Sequence, residues 1–89
     1  MSRLTNAIDN DFKALCLLRD EIALHASLLK ADLKDRWNDL EQKLAVLREH
    51  LGRANVAAGR SRMELETSAQ AMLESLRTGY ADVKQALKH

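Results

Sequence analysis

An apolar stripe that keeps its phase across more than half of the chain is the strongest constraint in this sequence. At about 100° per residue, the advance of an α-helix, Leu4, Ile8, Leu15, Leu18, Ile22, Ala26, Leu29, Leu33, Leu40, Leu44, Leu47, Leu51, Ala54 and Ala58 all fall within about 40° of one line. Positions 4, 22, 40 and 58 are spaced by five whole turns. Two helices joined by a turn have no reason to share a phase, whereas a continuous helix must. No Gly, Pro or Asn lies between Ser27 and Trp37. The pattern predicts one helix over about residues 3–58, roughly 80 Å long at 1.5 Å per residue. Acid-first pairs at i,i+4 support it: Asp9–Lys13, Asp32–Arg36, Asp39–Lys43 and Glu49–Arg53.

The rod is expected to end at Gly59, which can take the left-handed conformation of a helix C-terminus. Ser61 and Glu64 form a capping-box pattern that would start the next helix. A turn at 59–61 then joins a second helix over about 62–88, whose stripe is Leu65, Ala69, Met72, Leu76, Tyr80, Val83 and Leu87. Gly52 is the alternative stop. The expected fold is all-α: a single helical domain, a long helix with a shorter antiparallel one, similar to a coiled coil in periodicity. The 4–4 steps at 29–33–37 depart from strict heptads and favour a nearly straight bundle.

In such a hairpin the second helix reaches only residues 33–58. Residues 4–30 are left without cover, and they carry a further apolar surface at Cys16, Leu17, Leu24, Leu28 and Ala31. Burying this segment against a second copy is the simplest closure. The expected homodimer interface is Leu4, Ile8, Leu15, Leu18, Ile22, Ala26 and Leu29, with Cys16, Leu17, Leu24 and Leu28. Antiparallel pairing of the 4–30 segments would bring two Cys16 side chains near the two-fold axis. The competing architecture is a monomeric three-helix bundle with helices at about 3–30, 32–51 and 61–88. There Asp32 would cap the middle helix and Asp35 would sit in its first turn.

Composition narrows the function. Aromatic residues make up 3% of the chain, which argues against an all-β fold. A formal net charge of +1 gives no general attraction to nucleic acid or anionic lipid. One cysteine excludes an internal disulfide framework and fits a reducing, cytoplasmic setting. The longest apolar run, Ala14 to Leu18, is too short for a signal peptide or a membrane span.

Chemistry-bearing patterns are sparse. Arg48, Arg53, Arg60 and Arg62 gather near the expected turn and could contact a polyanion such as nucleic acid, an acidic partner or lipid headgroups. Local pairing of Glu49–Arg53, Arg60–Glu64 and Arg62–Glu66 accounts for three of the four, and no aromatic residue interleaves for base stacking. His25, His50 and His89 are too far apart for a metal site, and no paired carboxylates, phosphate loop or nucleophile elbow is present. No cofactor is expected, and Trp37 and Tyr80 read as core. The chain is thus expected to be a non-enzymatic assembly or adaptor protein with an unidentified protein partner. Polyanion binding through the arginine-bearing tip is the alternative, and an amphipathic membrane-surface role a third.

Overall fold

The computed structural model describes residues 3–88, with side chains from Asn6 onward. All regular structure among them is helical: α1 (Arg3–Ala23), a single 3₁₀ turn (Ala26–Leu28), α2 (Ala31–Val56) and α3 (Gly59–Leu87). The described chain extends 45 × 19 × 16 Å. The continuous rod over 3–58 does not form. At Leu24 the helical hydrogen bond stretches to 3.3 Å, and the next N–H, from His25, goes to Ile22 three residues back at 2.9 Å. One 3₁₀ turn follows, and Leu29 and Lys30 are extended.

Burial explains why the rod folds back. Ile8, Leu15, Ile22 and Leu29 are buried in one core with Trp37, Leu40, Leu44, Leu47, Leu76, Tyr80 and Val83. Each large apolar side chain contributes about 1.5–3 kcal/mol when covered. Several of them outweigh the few helical hydrogen bonds given up in a short connector, each worth about 0.5–1.5 kcal/mol. The two halves of the stripe therefore face one core from two separate helices, not from one rod.

Helix α3 makes this possible by packing against both α1 and α2. The expectation that it reaches only residues 33–58 is corrected accordingly. Two neighbours require two buried faces, so Leu73 and Glu66 are buried beside the expected Ala69, Leu76, Tyr80 and Val83. Leu65, Met72 and Leu87 are half-buried at the edges. At Gly79 the backbone passes close to Leu40: a Cβ there would lie 2.5 Å from Leu40 Cδ2.

The hairpin tip is tighter than expected. Helix α2 runs through Gly52 and ends at Val56, and the Ala57 N–H donates to the Arg53 carbonyl at 3.0 Å. Gly59 does take a left-handed conformation, φ +62°, but it opens α3 rather than closing the preceding helix. Ser61 consequently lies inside α3 and caps nothing; Ala58 holds the N-cap position, without a side-chain cap. At the start of α2, Lys30 holds that position, and Asp32 sits in the first turn where its charge favours the helix N-terminus.

Candidate interaction surface

Two features stand out once the helices are placed: a polar junction that joins all three, and an uncovered apolar surface at the connector end. At the junction, the Arg19 guanidinium of α1 donates to both oxygens of Glu41 on α2, Nε to Oε1 at 2.8 Å and Nη2 to Oε2 at 2.9 Å. Tyr80 of α3 donates its hydroxyl to Glu41 Oε1 at 3.0 Å. Beneath them, Trp37 meets Tyr80 edge-on, with ring centroids 5.6 Å apart, and Arg19 Cζ lies 5.6 Å from the Trp37 ring centroid, within cation–π range.

One carboxylate thus touches all three helices. Its hydrogen bond holds the Arg19 guanidinium above its ordinary range, against the opposing effect of burial. Burial pushes the Tyr80 hydroxyl up, and the neighbouring Glu41 charge adds to the shift. Among the described residues no buried side-chain nitrogen or oxygen lacks a hydrogen-bond partner. The sequence reading missed this junction. Arg19 and Glu41 are 22 positions apart, and nothing in either local pattern points to the other.

The uncovered surface comes from the second apolar set. Leu17 on α1 and Leu24 in the turn just after it are seven positions apart, so they lie on one face opposite the Ile8–Leu15–Ile22 stripe. They are 71% and 80% exposed, and Leu28 in the 3₁₀ turn is 73% exposed. Leu28 borders a cleft of about 260 Å³ with Ile22 and Leu87, edged by Glu21, His25, Lys84 and Lys88. An ion pair from Lys84 Nζ to Glu21 Oε2, 2.8 Å, ties α3 to α1 there. That hydrogen bond holds the Glu21 carboxyl below the usual carboxylate range.

The expected interface residues therefore divide. Ile8, Leu15, Ile22 and Leu29 are covered within the subunit, Leu18 and Ala26 are half-buried against the same core, and Cys16 is a half-buried free thiol. Of this set only Leu17, Leu24 and Leu28 are large apolar side chains left exposed. The side chain of Leu4 lies outside the described set.

The arginines at the other end are partly neutralised. Arg53 pairs with Glu49 at 2.6 Å and Arg62 with Glu66 at 3.2 Å. Arg48 and Arg60 are exposed, and the expected Arg60–Glu64 pair is absent among the described residues. Of the helix pairs expected along the first stripe, Asp9–Lys13 and Asp39–Lys43 form, while Arg36 turns to Asp82 on α3 at 3.2 Å instead of Asp32.

His25 edges the cleft, and His50 lies on α2 with its Nδ1 3.0 Å from the Val46 carbonyl. His89 is outside the described residues. Among those described, no group of three or more His, Cys, Asp or Glu side chains could hold a metal ion, and no helix is long and apolar enough to cross a membrane. Comparison with protein-family models, curated proteins and solved structures found no match to this chain.

Proposed function

We propose that the chain is a non-enzymatic helical assembly module that works by protein–protein contact through Leu17, Leu24 and Leu28, with a second copy of itself as a partner. One observation carries this reading: three large apolar side chains within twelve residues are each more than 70% exposed while the core beneath them is complete without them. Isolated exposed leucines are ordinary, but Leu17 and Leu24 on one helical face, with Leu28 bordering an apolar cleft, suit association. The junction of Arg19, Glu41 and Tyr80 ties the same helix to α2 and α3 and favours presenting the surface with little reorganisation.

Sedimentation equilibrium of the wild type and of Leu17→Asp/Leu24→Asp tests the reading. The wild-type mass should rise above 10.0 kDa with concentration, and the variant should stay at 10.0 kDa with unchanged helicity. A wild type that remains at monomer mass rejects self-association through this surface. Association that persists in the variant would place the contact elsewhere than Leu17 and Leu24, whereas binding to a nucleic acid that weakens steeply with salt would favour the arginine-bearing tip instead.

A further inference from the structure

We propose that two copies of this chain can exchange α1: the 24–30 connector straightens into helix, α1 and α2 fuse into one rod, and each α1 docks on the other copy's α2–α3 hairpin. It does not rest on the exposure of Leu17, Leu24 and Leu28, although the last two lie in the connector, and three observations carry it.

The first is the chemistry of the connector. Leu24-His25-Ala26-Ser27-Leu28-Leu29-Lys30 contains neither Gly nor Pro, and none of these residues has a positive φ. No side chain caps the 3₁₀ turn or the start of α2. The local bonds of the break are three backbone ones, from the His25 N–H to Ile22, the Leu28 N–H to His25 and the Leu29 N–H to Ala26, each replaceable by a helical bond, so the tertiary contacts of α1 decide whether the connector bends. Contacts of that kind can be supplied equally by a second copy.

The second is phase. Buried Ile8, Leu15 and Ile22 before the connector lie on the same helical line as buried Leu40, Leu44 and Leu47 after it. A straightened connector would give one rod with one continuous apolar face. Nothing in the folded subunit requires that agreement, because each helix meets the core separately.

The third is register. Across the α1–α2 interface Arg19 meets Glu41, and Ile8 shares a cleft with Leu51 and Ala54, so opposing residue numbers add to about 60. Two straight antiparallel rods in that same register have their two-fold axis beside residue 30. The connectors then face each other, with Leu29 opposite Ala31 and Leu33 opposite Ser27. Ala26, Leu29 and Leu33 would continue the seam across the axis without a gap. Every α1 contact, including Arg19–Glu41 and Glu21–Lys84, would re-form between copies. Exchange of an identical element closes as a two-fold dimer, with no new surface required beyond the paired connectors.

The deciding variant is Ala31→Pro. Ala31 is the first residue of α2, where proline is tolerated, and Lys30 is already extended (φ −68°, ψ 162°), as a residue before proline prefers. The substitution suits the folded-back subunit and forbids the straight rod. The opposite variant is His25→Ala/Ser27→Ala, which raises the connector's helix propensity without touching a buried residue.

Each full-length protein is heat-unfolded at high concentration, cooled, then diluted until the reversible leucine-surface contact dissociates, and its mass is measured at once by light scattering, with circular dichroism as the check on folding. The expected result is a twofold-mass fraction for the wild type, a fraction about fivefold or more larger for the alanine pair, and none for Ala31→Pro. If Ala31→Pro dimerises like the wild type, exchange is overturned and association belongs to the leucine surface. If the wild type and the alanine pair both remain at 10.0 kDa, exchange is likewise overturned.

Discussion

Three glycines in this chain have three different physical roles, and substitution by alanine separates them. Gly52 lies inside α2 with open space where a Cβ would go. Alanine there should stabilise the protein by about 0.5–1 kcal/mol through helix propensity and a less flexible unfolded chain. Gly59 needs its positive φ of 62°, so alanine should cost about 1–2 kcal/mol. Gly79 gains the same propensity as Gly52 but brings a methyl against Leu40 in the packed core. Overpacking costs about 1–3 kcal/mol, so the net change should be destabilising. Urea unfolding of the three variants should give this order: Gly52→Ala above the wild type, the other two below it. The sequence marked Gly59 as special and Gly52 as a possible helix end. It held no sign that Gly79 meets Leu40, because that contact depends on how α2 and α3 are rotated against each other.

At the scale of the helices, the balance between continuity and burial decides the topology. Ile22 and Leu17 are both on α1 and both looked like association residues, yet one is 1% and the other 71% exposed. Ile22→Ala should therefore cost about 2–5 kcal/mol of subunit stability, while Leu17→Ala should shift the thermal midpoint hardly at all. Equal losses at the two positions would contradict the folded-back arrangement of α1. Helix content, the hairpin tip near Gly59 and most core positions were legible from 3.6-residue periodicity. The break at 24–30 was not, because residues 24–30 contain no helix breaker and the stripe runs through them in phase. Here a tertiary contact with α3 overrides a local pattern that is sound in itself. The leucine surface was legible as a second apolar set, but its separation from the buried stripe needed the position of α3. The junction of Arg19 with Glu41 was out of reach of any local pattern.

For the molecule as a whole, Glu21 and Tyr80 tie stability to pH from opposite ends of the scale. Glu21 has a lowered carboxyl pKa through its hydrogen bond from Lys84, so its contribution is present above the unfolded value of about 4.3 and is lost as pH falls through the folded value. Both partners are solvated, so this acid effect is small. Tyr80 has a raised pKa through burial, so the folded state keeps its proton where an unfolded tyrosine, at about 10, has lost it. Stability should hold below that value and decline as pH rises beyond it. Tyr80→Phe should remove most of the alkaline decline. It should also cost about 1.5–3 kcal/mol at neutral pH for the lost hydrogen bond to a charged acceptor. Denaturation midpoints at pH 7 and pH 11 for both proteins check the two effects together. A parallel decline in the variant would place the alkaline-sensitive group elsewhere.

The edge-on meeting of Trp37 and Tyr80 has an optical consequence. The chain has a single tryptophan and a single tyrosine, and they are in contact where its three helices join. Light absorbed by the phenol should pass to the indole, leaving almost no short-wavelength ultraviolet emission from the phenol itself, and the nearby guanidinium should tune the indole's emission wavelength and quantum yield. Unmodified protein thus carries its own donor–acceptor reporter, and returning tyrosine fluorescence would signal separation of α2 from α3 before any label is attached.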